Sequence, residues 1–231
     1  MKSDEIKSLI NKFVLLKTNS DYRVYDLVTR YGARWRESKH QIKTNPVYSD
    51  TMLYKYFKAR GRRHGLDIDL LLKTIISHQE EKQYKIPEES ELVIHLRLGD
   101  HAHHNDFLSK DYIGLIKDQF DINQNINKIT IVGAFAYQVW SEDTMDIKPD
   151  DCPTWEYTEE LQQKNEKELS RVLGEIIQEF DIPVDIYSNE DIDKDICYCV
   201  SAKNFIRDVG NLGGFMKKLG KLKQELDLNE Q

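Results

Sequence analysis

The run ELVIHLRLGD at 91–100, a few residues after Pro87, constrains the fold more than any other stretch of the chain. Leu92, Ile94, Leu96 and Leu98 alternate with Val93, His95 and Arg97, so a period of two residues places the first set on one face of a strand and the second on the other. From there to the C-terminus the chain repeats a strand-then-helix order. Ser109 is positioned to cap a helix whose Tyr112, Ile113, Ile116 and Phe120 share a face, and KITIVGA at 128–134 reads as a buried strand, completing one βαβ unit. In the second unit Leu169, Val172, Leu173, Ile176, Ile177 and Phe180 form the apolar face of a long helix, followed by a strand in PVDIY at 183–187 and a helix over 191–202. A short strand, NFI at 204–206, then leads through GNLGG at 210–214 into a closing helix carrying Leu212, Phe215, Met216 and Leu219. Such alternation with short connections predicts an α/β fold: a Rossmann-like parallel sheet covered by helices over 89–231.

The first 88 residues have a different period. Ile6, Leu9, Ile10 and Phe13 fall at helical spacing, as do Ile68, Leu71, Leu72, Ile75 and Ile76, which predicts a small, mostly helical N-terminal region. Between these helices, Arg30, Arg34, Trp35, Arg36, Lys58, Arg60, Arg62, Arg63 and His64 make either a solvated surface or a face toward phosphate or acceptor. The segment from Phe135 to Trp155 is long for a strand-to-helix connection and reads as a lid, a binding loop or a disordered excursion.

A chain of 231 residues suits one large domain, or one domain with a smaller companion. With 33 basic and 40 acidic residues, a net charge of −7, it is not expected to bind nucleic acid through its bulk field. Any anion must be held locally. No run of about 18 apolar residues suggests a transmembrane span, and the N-terminal MKSDEIKSLINKF lacks the apolar stretch of a signal peptide, so a cytoplasmic location is expected. Cys152, Cys197 and Cys199 form neither a disulfide framework nor a zinc spacing, and are expected to be ordinary thiols in a reducing compartment.

Ligands of open parallel sheets bind beyond the carboxyl ends of the strands, where His95–Asp100 falls. On a regular strand His95 and Arg97 would project the same way, with roots roughly 6.6–7 Å apart, and both would reach one ligand. The Arg97 guanidinium needs either an anion held in a bidentate way or a carboxylate such as Asp100. Gly99 permits a sharp exit and a close backbone approach. A second candidate is Gly210–Gly214, with Asn211, Gly213 and Gly214, which offers backbone N–H groups at a helix start; it matches neither the dinucleotide fingerprint nor a P-loop.

The string VIHLRLGD resembles the H-x-R-x-G-D segment of the fucosyltransferase-like glycosyltransferases of GT-B type, and the downstream order of elements over about 90–220 is similar to theirs. The resemblance implies a GT-B C-terminal-domain type of sheet and transfer, with inversion and without a metal or resident cofactor, from a nucleotide-diphosphate sugar to an acceptor hydroxyl. A GDP-sugar is the favoured donor, the acceptor being a glycan or protein. It implies that Arg97 holds the β-phosphate and stabilises the departing diphosphate, with His95 supporting it or touching the donor. A loop acid near Ser188–Asp191, one of Asp191, Asp193 or Asp195, would read the base, and Gly210–Phe215, with Asn211, Gly213, Gly214 and Phe215, would hold the phosphates; Ser188 and Gly99 are also expected to bind the donor. Asp100 and His101 are the candidates for the base that deprotonates the acceptor. Two departures stand beside it. The glycine-rich opening motif of the N-terminal domain is absent, and Asp208, Val209 and Gly210 supply no hydroxyl where relatives often have Ser or Thr. The acceptor side, which the resemblance would place in 1–88, is therefore a reduced helical subdomain, or is completed by a second subunit of a homo-oligomer, or transfer has been lost. Two other readings stay open: a non-catalytic sugar-nucleotide or protein-binding module, and a metal-dependent hydrolase built on His95, Asp100, His101, His103, His104 and Asp106.

Overall fold

The computed structural model describes residues 2–16, 51–60, 67–96, 98–99, 111–136, 159–208 and 211–229. Arg97, Asp100, the histidine-rich stretch 101–106, the basic residues 30–36 and 62–64, residues 137–155 with Cys152, and Val209–Gly210 lie outside them. Strands β2 (Glu91–His95), β4 (Lys128–Val132), β6 (Val184–Tyr187) and β7 (Asn204–Ile206) form an all-parallel sheet in the order β6-β4-β2-β7. Helix α4 (Tyr112–Ile122) connects β2 to β4, α5 (Glu159–Glu179) lies between β4 and β6, α6 (Ile192–Val200) joins β6 to β7, and α7 (Asn211–Asn229) follows β7. Helices α1 (Lys2–Ile10), α2 (Met52–Arg60) and α3 (Ile68–Lys82) precede the sheet, giving seven helices among the described residues. The Rossmann-like α/β expectation is met at this level.

Both faces of β2 are buried, and the alternation of its side chains sorts the helices. Leu92, Ile94, Leu96 and Leu98 share one core with Leu9 of α1 and Phe13 just after it, Tyr112 and Ile116 of α4, and Leu169, Val172, Leu173 and Ile176 of α5. Val93 faces the other core, with Tyr56 and Phe57 of α2, Leu71 and Ile75 of α3, Ile196 and Tyr198 of α6, and Met216 and Leu219 of α7. Each such fully buried side chain contributes about 1.5–3 kcal/mol relative to exposure. The helices before residue 88 therefore close the two faces of the sheet, α1 on one and α2 with α3 on the other. The apolar core is continuous across that position.

Helix starts follow local chemistry. Asp111, rather than Ser109, caps α4: its Oδ1 accepts from the Gly114 N–H at 2.8 Å, and Ser109 lies outside the described residues. Asp67 caps α3 by accepting from Leu70 N–H at 3.0 Å, and Asp191 caps α6 by accepting from Asp193 N–H at 3.0 Å. Buried His78 of α3 lies with Nε2 3.4 Å from an Asp193 carboxylate oxygen that also accepts from the Met52 N–H at 2.8 Å, so one acid ties α2 and α3 to the start of α6.

At the amino edge of the sheet, buried Glu91 accepts hydrogen bonds from the hydroxyls of Thr130 and Tyr198, and Lys128 Nζ stands 3.6 Å away. Burial alone would raise the Glu91 pKa. The hydrogen bonds from Thr130, Tyr198 and the Glu88 N–H, with the Lys128 charge, outweigh that and hold it below the ordinary glutamate value.

At the carboxyl edge the single strand expected over 91–98 is broken. β2 stops at His95, and β3 (Leu98–Gly99) resumes beyond it; likewise β4 stops at Val132 and β5 (Phe135–Ala136) resumes, so the strand expected over 128–134 ends two residues early. Leu96 N–H donates to Val132 O at 2.9 Å across the break. A Cβ on Gly133 would stand 2.4 Å from the Leu96 carbonyl oxygen, so only glycine lets the two chains pass this closely. Beyond the break, β3 and β5 pair in parallel, and β1 (Leu15–Leu16) adds to the other side of β5, a second small sheet in the order β1-β5-β3.

Candidate functional site

Numbered by their order in the chain, the main strands run third, second, first, fourth across the sheet. The chain therefore winds outward from β2 in one direction through β4 and β6, then returns to place β7 on the other side of β2. Helices leave neighbouring strands toward opposite faces at such a reversal, which opens a crevice beyond their carboxyl ends. Here that crevice lies between the ends of β2 and β7. It is flanked by the N-terminus of α4 in one core layer and that of α7 in the other.

The end of β2 supplies His95, 5% exposed, on the same strand face as Val93 and hence toward the layer of α6 and α7. The end of β7 supplies Arg207 and Asp208. Asp208 is buried and accepts a hydrogen bond from the Tyr112 hydroxyl at 3.2 Å, which fastens the first residue of α4 to the exit of β7. Burial, reinforced by the Asp208 charge and hydrogen bond, pushes the Tyr112 phenol well above its usual range, so this tyrosine is a fixed donor.

The first turn of α7 runs close over this exit. A Cβ on Gly213 would come within 3.3 Å of Arg207 Cβ and of the Asp208 nitrogen. One on Gly214 would come within 2.8 Å of Arg207 Nη1, so the exposed Arg207 guanidinium lies across the start of the helix. The N–H groups of a helix's first turn have no partner within the helix, and the macrodipole makes that end positive. A guanidinium beside it adds charge of the same sign, an arrangement that suits an anion bound between them.

The residues expected from the sequence divide into two groups. His95, Gly99, Asn211, Gly213, Gly214 and Phe215 belong to β2–β3 or to the start of α7, near the reversal; Phe215 also packs into the core beneath α7. Ser188 and Asp191 follow β6, on the opposite edge, with β4 and β2 between them and β7. At about 4.8 Å per strand, β6 and β7 are roughly 14 Å apart. Both residues have structural duties: the Ser188 hydroxyl oxygen accepts from Val14 N–H at 2.9 Å, and Asp191 accepts from the Tyr84 hydroxyl at 2.7 Å as well as capping α6. Asp193 and Asp195 are buried, Asp195 accepting from Asn189 Nδ2 at 2.7 Å. Arg97 and Asp100 lie outside the described residues.

Sequence reasoning missed Arg207, Asp208 and Tyr112 as members of the site. The signal was present, since Arg207 directly follows the last residue of NFI at the carboxyl end of a parallel strand. Among the described residues no group of three or more His, Cys, Asp or Glu side chains is arranged to hold a metal ion. No helix of the described residues is long and apolar enough to cross a membrane. Buried Cys197 and Cys199 are free thiols, and burial, followed by the Asp193 charge, raises the Cys197 pKa. No protein-family model matches the chain, and neither a curated protein nor a solved structure matches it.

Proposed function

We propose that the crevice between β2 and β7 binds the diphosphate of a nucleotide sugar, with a GDP-sugar favoured, and that the chain is a fucosyltransferase-like, GT-B-type glycosyltransferase. The observation that carries the reading is the Arg207 guanidinium lying across the Gly213–Gly214 turn at the reversal of strand order, beside the strand that ends in His95. In this reading Arg97, two residues beyond His95, brings a second guanidinium to the same diphosphate.

The chemistry follows from the leaving group. As the sugar–phosphate bond breaks, the sugar gains oxocarbenium character and negative charge grows on the diphosphate. Guanidinium groups and helix N–H dipoles directed there stabilise the transition state more than the bound donor, and they do so without a metal. A carboxylate or imidazole, with Asp100 and His101 the candidates, takes the proton of the acceptor hydroxyl as it attacks from the opposite side, inverting the anomeric centre.

Thermal unfolding with a panel of nucleotides tests this. GDP and GDP-sugars should raise the Tm more than UDP or ADP counterparts, EDTA should leave the effect intact, and Arg207→Ala and Arg97→Ala should each remove it. Stabilisation by zinc or manganese alone would favour the hydrolase reading instead. One observation supports a second reading, a sugar-nucleotide-binding module without transfer. Among the described residues before 88, three helices pack against the main sheet and the two-residue β1 pairs with β5, so they contribute no further sheet of their own facing it across a cleft. Donor binding without sugar release to any of a varied set of acceptors would select it.

A further inference from the structure

A second basic feature lies near the amino end of β7, away from the crevice. A hollow of about 220 Å³ opens between α4, α7 and the lead into β7, with Ala202, Phe205 and Gly220 among its lining. Lys217 and Lys221 reach it from α7, Lys203 from the residue before β7, and Gln119 from α4. We propose that this hollow is a binding site for a small multivalent anion of the phosphate or polycarboxylate class.

The charge arrangement is the reason. The chain as a whole is acidic, at −7, yet three lysines line one small depression. Lys217 and Lys221 stand four residues apart on one helix face, a like-charge pairing that destabilises a helix by itself. Among the described residues neither forms an ion pair, whereas Lys203 shares its charge with Glu89 at 3.0 Å. The helix dipole does not account for them, because α7 continues to Asn229, two turns past Lys221. Nor do the carbonyls of the connection after α6, since Gln224 Nε2 donates to both Ala202 O and Lys203 O at 3.2 Å.

A space of about 220 Å³ admits phosphate, pyrophosphate or a citrate-sized acid. Gly220 keeps the hollow's floor low: a Cβ there would stand 3.3 Å from Val200 O, so α7 sits close on the end of α6. This site does not rest on the proposed transferase activity.

Isothermal titration of the full chain with inorganic phosphate, pyrophosphate and citrate tests it. The expected result is saturable binding of at least one, weakened about tenfold or more in Lys217→Gln/Lys221→Gln and weakened by salt as exposed charges are screened. Lys218→Gln, an exposed neighbour that does not line the hollow, should leave binding unchanged, and Lys217→Arg/Lys221→Arg should retain it. Should the double glutamine variant fail to fold, Lys221→Gln alone carries the comparison. Absence of saturable binding by all three anions overturns the proposal. So does binding lost in Arg207→Ala and untouched by the lysine variants, which would assign the anion to the crevice, and so does binding of poly-glutamate with none of the small anions.

Discussion

Replacing Glu91 by leucine should be among the most destabilising single changes available in this sheet. The carboxylate is 1% exposed, and it is the shared acceptor of the Thr130 and Tyr198 hydroxyls, both in buried residues. Leucine removes that acceptor and strands two hydroxyls away from water at about 1–3 kcal/mol each, a loss of about 2–6 kcal/mol. A domain of this kind has only about 5–15 kcal/mol to lose. Glutamine keeps the shape and one acceptor oxygen, and the hydroxyls can rotate to use it, so Glu91→Gln should cost less, about 1–3 kcal/mol. Urea unfolding followed by circular dichroism reads both values. Combining Glu91→Leu with Tyr198→Phe and Thr130→Val removes the stranded donors and should recover much of the loss, a non-additivity that a merely volumetric defect would not give. The pH dependence has a definite sign. Because the folded-state pKa of Glu91 lies below its unfolded value of about 4.3, its contribution is complete above that value and disappears as pH falls through the folded one. The gap between wild type and Glu91→Gln should therefore be full at neutral pH and shrink in acid. A Glu91→Leu variant within about 0.5 kcal/mol of wild type, or a triple variant no better than the single, would refute the reasoning.

Gly133→Ala should destabilise by about 1–3 kcal/mol in the same unfolding assay, since its Cβ meets the Leu96 carbonyl at 2.4 Å and backbone must move; an unchanged midpoint would mean the crossing is looser than described. Arg207→Ala, at an exposed position, should change intrinsic stability by no more than about 0.5 kcal/mol while abolishing the nucleotide-dependent rise in Tm, and a retained rise would remove Arg207 from the site. Ser188→Ala should cost about 0.5–1.5 kcal/mol and speed hydrogen exchange at the Val14 and Phe135 amides, leaving those of β2 protected. Alkaline titration followed by phenolate absorbance should find Tyr187 ionising near about 12, because burial and then the Asp195 charge hold its proton on. Its raised pKa means that its contribution to stability is complete below about 10, where the unfolded chain begins to ionise, and is lost as pH rises toward 12; normal ionisation in the folded protein would count against the packing of Tyr187 on Tyr198 at 4.1 Å.

The elements after residue 90 were legible because each carries one dominant period. Leu92, Ile94 and Leu96 separate from Val93 in the structure as the alternation requires, and KITIV, VDIY and NFI are strands with helices between them. Cap identity was less so: Ser109 and Asp111 are both competent caps near the same helix start, and only tertiary placement distinguishes them. Strand order was not legible at all. Nothing in NFI states that it lies beside β2 rather than beyond β6, yet that neighbourhood brings Arg207 and the Gly213–Gly214 turn to the end of the strand carrying His95 and sends Ser188 and Asp191 to the opposite edge. The break at Leu96 and Gly133 was hidden for a related reason. Alternation continues through Leu98 whether or not the backbone swings, and the close approach becomes apparent only when two distant strands are laid side by side.

The placement of β1 has a consequence for biosynthesis. Val14 accepts from the Phe135 N–H and donates to the Ser188 hydroxyl, a partner 174 residues later in the chain. A segment among the earliest to leave the ribosome thus waits for one among the latest, and contacts of such long sequence separation form slowly. The β2–α4–β4 unit and the strands of the small sheet have all emerged by Ala136, but the Val14 N–H gains its Ser188 partner only later. A stalled or truncated chain ending before Ser188 would lack that tie at Val14 together with β7, leaving one side of β2 without its neighbour.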